Sequence, residues 1–414
     1  MFGLQDGNNY YASCERVFDP RLRGKPVVVL SNNDGCAIAR SAEAKALGVK
    51  MGQPIHEVPP EVRRQLVIRS ANFGLYGDLS ARIAGILRDL MPQVEIYSID
   101  ENFFSFPETG CRIEVAHEAR SRIERWVGIP NCIGIGPTKT LAKMANKLAK
   151  GGAGIVDLSY PDGREAHLAK FPVEDLWGVG RKFAARLGAE GILTAGDLVA
   201  ADPETLRARY GVVLARTQRE LQGIPCSELV EVEPDRKQIV CSRSFGKECT
   251  ELEDLSQAVA TFAIRACEKL RDRGLECGGV WVWLNTNPFK QDAKQYHPSK
   301  SFSLIKASSD TREVVMVVRA LVRAMYRKGY HYKKGGVGLL DLTAGSSVQA
   351  DLFSGVDPRS KALMDVLDRV NRKFGRGTMG LGASGWQASP RWAMNQKSLS
   401  PAYTSKWSEL LRVR

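Results

Sequence analysis

The chain has 414 residues, a length that suits two to four domains of ordinary size. Lys and Arg outnumber Asp and Glu by 59 to 46, and the resulting net charge of +13 points to a polyanionic partner such as nucleic acid. Three classes are disfavoured: a membrane span, because no apolar run approaches the roughly 18 residues it needs; a secreted disulfide scaffold, because the nine cysteines form no C-x-x-C pair and Met1-Phe2-Gly3-Leu4-Gln5-Asp6 does not open a signal peptide; and hydrolytic zinc chemistry, because the five histidines are scattered.

An apolar strand runs into Asp6, followed by the turn Gly7-Asn8-Asn9 and the aromatic pair Tyr10-Tyr11. Val27-Val28-Val29-Leu30 reads as a short buried strand, ended by Ser31-Asn32-Asn33-Asp34-Gly35. Ala42 to Leu47 is helical in composition and stops at Gly48. Residues 76–90 are an amphipathic helix, with Ile83, Ile86, Leu87 and Leu90 on one face. Val94 to Phe106 alternates like two short strands about a tight turn, and a helix (112–127), a strand (132–135) and a second helix (138–150) follow. Phe171 to Leu198 is compactly helical, broken at Gly178-Val179-Gly180. Residues 228–240 read as an extended linker. Beyond it come strand (239–246), helix (255–273), strand (279–285), strand (301–307), helix (311–328) and strand (336–342), the β-α-β-β-α-β order of a ferredoxin-like domain. The stretch 343–358 reads as mobile, and a basic tail with Arg391, Lys397, Lys406, Arg412 and Arg414 closes the chain. No repeat of 20–50 residues is present.

The carboxylates carry the chemistry. Asp6 ends a strand, and Asp100 and Glu101 are neighbours in Tyr97-Ser98-Ile99-Asp100-Glu101-Asn102. Neighbours in a regular strand face opposite ways, so both serve one site only at a turn, and a hairpin turn is expected there. Three such hard oxygen ligands suit Mg²⁺, and two ions about 3.5–4 Å apart would activate a hydroxyl and neutralise a leaving phosphate. On spacing alone, an Asp at a strand end and an Asp-Glu turn are equally ordinary structure, and a two-metal nuclease or a non-catalytic DNA-binding regulatory protein fits as well. Lys139, Lys143, Lys147 and Lys150 recur at spacings of four, four and three and share one helical face.

Asp6-Gly7-Asn8-Asn9-Tyr10-Tyr11-Ala12-Ser13-Cys14-Glu15 resembles the opening motif of Y-family DNA polymerases, and Ser98-Ile99-Asp100-Glu101 resembles their second signature. Ser31-Asn32-Asn33-Asp34-Gly35-Cys36, Ala42 to Lys50 and Leu410-Leu411-Arg412-Val413 resemble the UmuC branch, that of error-prone polymerase V. The resemblance implies an α+β right-hand polymerase. Its ferredoxin-like palm would take 1–12 and 76–168, small fingers 13–75, a helical thumb 169–232, and a ferredoxin-like little finger 233–343. A C-terminal clamp-binding motif and basic tail would take 344–414.

It also implies template-directed translesion synthesis in DNA repair and the SOS response, without proofreading, in the bacterial cytoplasm at the nucleoid. Asp6 and Asp100 would bridge two Mg²⁺ ions, Glu101 would bind the one beside the primer 3′-OH, and the Gly7 carbonyl would complete the other. Tyr10, Tyr11, Lys45 and Lys150 would contact the dNTP, with Tyr11 a steric gate beneath the sugar; a nuclease would need none of these. Ala42 stands where many members place a Tyr, and Tyr10 where Phe is common. Gly178, Gly180 and Arg181 would hold primer-template DNA by phosphate at a helix-hairpin-helix turn, and Arg243 and Ser244 would follow the template backbone. Gln349, Leu352 and Phe353 resemble a sliding-clamp docking motif. A processed UmuD-like subunit and a recombinase filament are the further partners implied.

Overall fold

The computed structural model describes residues 1–231, 236–290, 292–345, 358–385 and 390–411. The chain divides into two units. Met1–Ser31, Gly35–Glu233 and Ser398–Arg414 make the first, and Asn32–Asp34 with Pro234–Lys397 the second.

In the first unit β1 (Phe2–Gly7) passes directly into α1 (Tyr10–Phe18). The reversal hangs on Asn9 at φ 50°, a left-handed conformation that Asn tolerates better than most residues. This helix was not expected, because the turn residues and aromatics carry no apolar period of their own. Next come β2 (Val27–Leu30), β3 (Ala37–Arg40), α2 (Ala42–Ala46), α3 (Pro60–Arg63) and β4 (Val67–Ser70), whose strands form a sheet of order β3-β2-β4. The all-apolar β2 is its centre, buried at every position.

The larger sheet is built from β1 and the elements that follow: α4 (Phe73–Leu90), β5 (Val94–Ile96), β6 (Glu101–Ser105), α5 (Arg112–Val127), β7 (Asn131–Gly136), α6 (Lys139–Ala149) and β8 (Ile155–Asp157). Its order is β5-β6-β1-β7-β8, so β1 is central between β6 and β7. Helix α4 starts three residues before the expected 76, capped by the Asn72 side chain. It buries Leu79, Ile83, Ile86 and Leu87 against Phe104, Ile133 and Ile135 of the sheet.

Five short helices complete the unit: α7 (Pro161–Leu168), α8 (Arg181–Ala189), α9 (Ala195–Ala200), α10 (Pro203–Tyr210) and α11 (Val212–Leu221). They share one core with Leu141 and Met144 of α6. The buried Glu220 of α11 fastens them to the sheet layer: its carboxylate accepts from the backbone N–H (3.0 Å) and the hydroxyl (2.5 Å) of Thr140.

The second unit follows the expected β-α-β-β-α-β order: β9 (Ile239–Cys249), α12 (Leu252–Arg271), β10 (Leu275–Thr286), β11 (Ser299–Ser308), α13 (Thr311–Met325) and β12 (Tyr332–Ala344). The strands pair antiparallel in the order β11-β10-β12-β9. Both helices pack on one face, over a core that includes Phe245, Val280, Val282 and Tyr332. A further helix, α14 (Pro358–Phe374), corrects the reading of 344–414 as motif and basic tail alone. Met364 and Leu367, three apart, are buried, and Asp368 accepts from Nε and Nη2 of Arg271 at 2.7 and 2.8 Å.

Candidate active site

Asp6 lies 5% exposed on central β1, and its Cα partner across the ladder to β6 is Glu101. Antiparallel partners carry side chains on the same face. Asp100 sits in the turn between β5 and β6, outside both strands, which frees it from the alternation that would turn it away from Glu101. The turn is held by Ser98, whose hydroxyl donates to Asp100 Oδ1 (2.7 Å) and accepts from the backbone N–H of Glu101 (3.1 Å). The Gly7 N–H donates to the Asp100 carbonyl (2.9 Å) and ties this turn to the end of β1.

Every lysine of the α6 face has a carboxylate partner. Lys139 pairs with Glu95 at 2.5 Å, Lys143 with Glu101 at 3.1 Å, Lys147 with Asp175, and Lys150 with Asp6 at 2.6 Å. Lys139 and Lys143 are 4% and 16% exposed, whereas Lys147 and Lys150 stay 48% and 44% exposed, so the stripe runs from the interior out to solvent. A cleft of ≈ 280 Å³ opens beside Asp6 and Glu101, lined by Lys143, Lys147, Lys150 and Trp177 among others. Burial pushes the Asp6 carboxyl up to about 6 against the pull of Lys150, and the nearby charges of Glu101 and Asp100 push the same way as burial.

Among the described residues, no three His, Cys, Asp or Glu side chains converge as a finished cation cage. The donor set nevertheless fits a hard dication. It consists of carboxylate oxygens on the adjacent strands β1 and β6 and in the turn before β6, with like charges crowded around a buried Asp6 and lysine ammonium groups balancing them.

Tyr10 and Tyr11 separate. Tyr10, 3% exposed, is a core residue whose hydroxyl donates to the Tyr76 carbonyl (2.8 Å). Tyr11 is half-buried; its ring stacks on Tyr76 (centroids 4.5 Å, 14°) and meets the edge of Phe73 at 5.9 Å. Lys45, exposed on α2, is held below the usual lysine range by partial burial and by Arg40 and Lys150. Arg40 was missed from sequence: it stands on β3, five residues ahead of Lys45, and its Nη1 donates to the Val49 carbonyl (2.6 Å). Lys143 was noted only as part of the stripe, yet it is the residue that holds Glu101.

Gly178, at φ +88°, and Gly180, the N-cap of α8, precede the exposed Arg181. In the second unit Arg243 is exposed and Ser244 half-buried on β9, an edge strand. Gln349, Leu352 and Phe353 lie outside the described residues.

Family models match at 5–147 (impB/mucB/samB family), 236–352 (the C-terminal domain of that family) and 361–413 (a domain of unknown function). Protein UmuC of Salmonella typhimurium is 43% identical over 100% of both chains. DNA polymerase IV of Pelotomaculum thermopropionicum is 30% identical over 90% of this chain and 92% of its own. Among solved structures, a Dbh–Dpo4 chimera described as a Y-family DNA polymerase aligns with 82% of this chain and 99% of its own, at TM-score 0.65 and 20% identity.

The fold is that of a Y-family DNA polymerase. The chain belongs to the impB/mucB/samB family, the UmuC-type branch, and is a DNA-directed DNA polymerase of translesion synthesis. Enzymes of this class bind DNA and dNTPs and depend on divalent cations. Among the described residues no helix is long and apolar enough to cross a membrane.

Proposed function

We propose that Asp6, Asp100 and Glu101 are the catalytic carboxylates of nucleotidyl transfer from dNTP to the primer 3′-OH. The observation that carries the reading is the pairing of Asp6 with Glu101 across β1 and β6, with Asp100 fixed in the adjoining turn. Two Mg²⁺ ions held by these groups and the Gly7 carbonyl would supply Lewis-acid activation of the hydroxyl and charge neutralisation at the leaving pyrophosphate. Lys45 and Lys150, joined by Arg40, supply positive charge to the triphosphate. Tyr11 is the ring beneath the sugar. Tyr10 supports the floor of the site from within the core.

The five-stranded sheet with α4 to α7 is the palm, residues 13–75 the fingers, α8 to α11 the thumb, and the sheet of the second unit the little finger. Gly178, Gly180 and Arg181 offer backbone N–H groups and a cation to a DNA phosphate, as helix N-termini do. Arg243 and Ser244 contact template backbone without reading sequence, which a polymerase requires. Gln349, Leu352 and Phe353 dock on the sliding clamp, and a processed UmuD-like subunit and recombinase filament complete the assembly at the nucleoid.

Primer extension tests the carboxylates. Asp6→Ala and Asp100→Ala should each abolish extension by the assembled enzyme with Mg²⁺ and four dNTPs, while affinity for primer-template stays near the parental value. Substantial extension by either variant would refute the assignment.

A further inference from the structure

The end of the stretch matched by the domain of unknown function returns to the first unit. Leu399 forms a parallel bridge with Ser70 on β4. The Ser70 N–H donates to the Ser398 carbonyl (3.0 Å), and the Ser398 N–H donates to Ser70 Oγ (3.0 Å). The tail therefore covers the exposed edge of the β3-β2-β4 sheet, an edge that would otherwise present open backbone groups. Tyr403, 8% exposed, stacks on Phe18 with centroids 5.0 Å apart. Asn72, the N-cap of α4, donates to Ser400 Oγ (3.0 Å).

Beyond Ser400 the contacts run to the sugar side of the site. Ser400 Oγ donates to Glu15 Oε1 (3.1 Å), and Tyr76 Oη donates to the same oxygen (2.7 Å). Glu15 is 1% exposed, so its carboxylate must find its donors inside the protein, and the nearby cation Arg69 stands 3.8 Å away. Tyr76 is fully buried and forms the platform on which Tyr11 stacks. A hydroxyl from the far end of the chain thus completes the polar shell that fixes the ring under Tyr11.

We propose that the C-terminal tail is a positioning element for sugar selection: Ser400, through Glu15 and Tyr76, sets the height and tilt of Tyr11 and so the discrimination between deoxy- and ribonucleotides. This rests on Tyr11 being the gate. Rejection of a 2′-OH by a ring is steric, and contact repulsion rises so steeply with distance that a small shift of Tyr11 relaxes it. Incorporation of a dNTP, which lacks that hydroxyl, is insensitive to the same shift.

The test uses full-length protein in its active assembly and measures kcat/KM for dNTP and for rNTP. Ser400→Ala should lower the dNTP/rNTP ratio about fivefold, the worth of one net hydrogen bond, through the rNTP value, with the dNTP value near parental. Ser400→Thr, which keeps the hydroxyl, should restore the ratio. Tyr403→Ala, which unseats the tail at Phe18, should lower the ratio and speed hydrogen exchange at the Ser70 amide. In a Tyr11→Ala background neither change should matter further.

If Tyr11→Ala relaxes selection while Ser400→Ala and Tyr403→Ala keep the parental ratio, the tail has no positioning role and the gate stands. If both tail variants lower dNTP and rNTP incorporation equally, the tail is merely structural and the proposal fails. If Tyr11→Ala itself leaves the ratio unchanged, the gate reading and this inference fall together.

Discussion

Tyr10 and Tyr11 share one side-chain chemistry and diverge through their places on α1. The helical turn of about 100° between neighbours sends Tyr10 into the core and leaves Tyr11 half-buried against Tyr76. Only the second keeps part of its ring at the surface, as the proposed gate requires. Tyr11→Ala should therefore admit ribonucleotides, lowering the dNTP/rNTP ratio of kcat/KM by about tenfold or more, equivalent to about 1.4 kcal/mol of transition-state discrimination. Because Tyr11 touches none of Asp6, Asp100 or Glu101 through a hydrogen bond among those described, dNTP incorporation should persist. A variant that is active and keeps the parental ratio would show that another group excludes the 2′-OH.

At the scale of elements, α6 shows how a close backbone approach positions charge. It lies on β7 at Gly134 and Gly136, where side chains would have no room. A Cβ at Gly134 would stand 2.1 Å from the Asn146 backbone nitrogen and 2.2 Å from the Ala142 carbonyl oxygen. That proximity also lets Asn146 donate to the carbonyls of Leu4 (3.2 Å) and Cys132 (2.9 Å), locking helix to sheet. Gly134→Ala should push α6 off the sheet, at a cost of about 1–3 kcal/mol for overpacking, and move Lys143 and Lys150 away from Glu101 and Asp6. The expected result is a lower midpoint of thermal unfolding together with a rise in KM for dNTP. A variant as stable as the parent would mean that α6 is free to slide, contrary to the packing.

For the whole molecule, the +13 charge and the two units bear on how the enzyme stays on DNA. Binding through phosphate contacts weakens steeply with salt, so a polymerase held that way dissociates readily and gains from a tether. Leu352 and Phe353 are adjacent apolar residues, and seating each in a preformed pocket would contribute roughly 1.5–3 kcal/mol. Tethering to a clamp already on DNA raises local concentration at the primer end. Replacing both residues with Ala should spare distributive synthesis on a short primer and remove stimulation by a loaded clamp. Full stimulation of the double variant would place the docking surface elsewhere.

The sequence by itself determined the family and the element order of the second unit, and it singled out the three carboxylates proposed as catalytic. These reside in local strings: an Asp before a turn and two aromatics, a Ser-Ile-Asp-Glu turn, and apolar periods that need no partner to be read. The helix expected at about 112–127 likewise matches the observed α5, Arg112–Val127. What only the tertiary structure decided is pairing across long separations. Which carboxylate each α6 lysine takes, the cluster of Arg40 with Lys45 and Lys150, the close approach at Gly134, and the return of Ser400 to Glu15 385 positions away depend on strand order and helix docking. The sequence shows that the lysines of the α6 stripe share one face, but not which carboxylates they meet, because a lysine's partners are chosen by the fold, not by its neighbours in sequence.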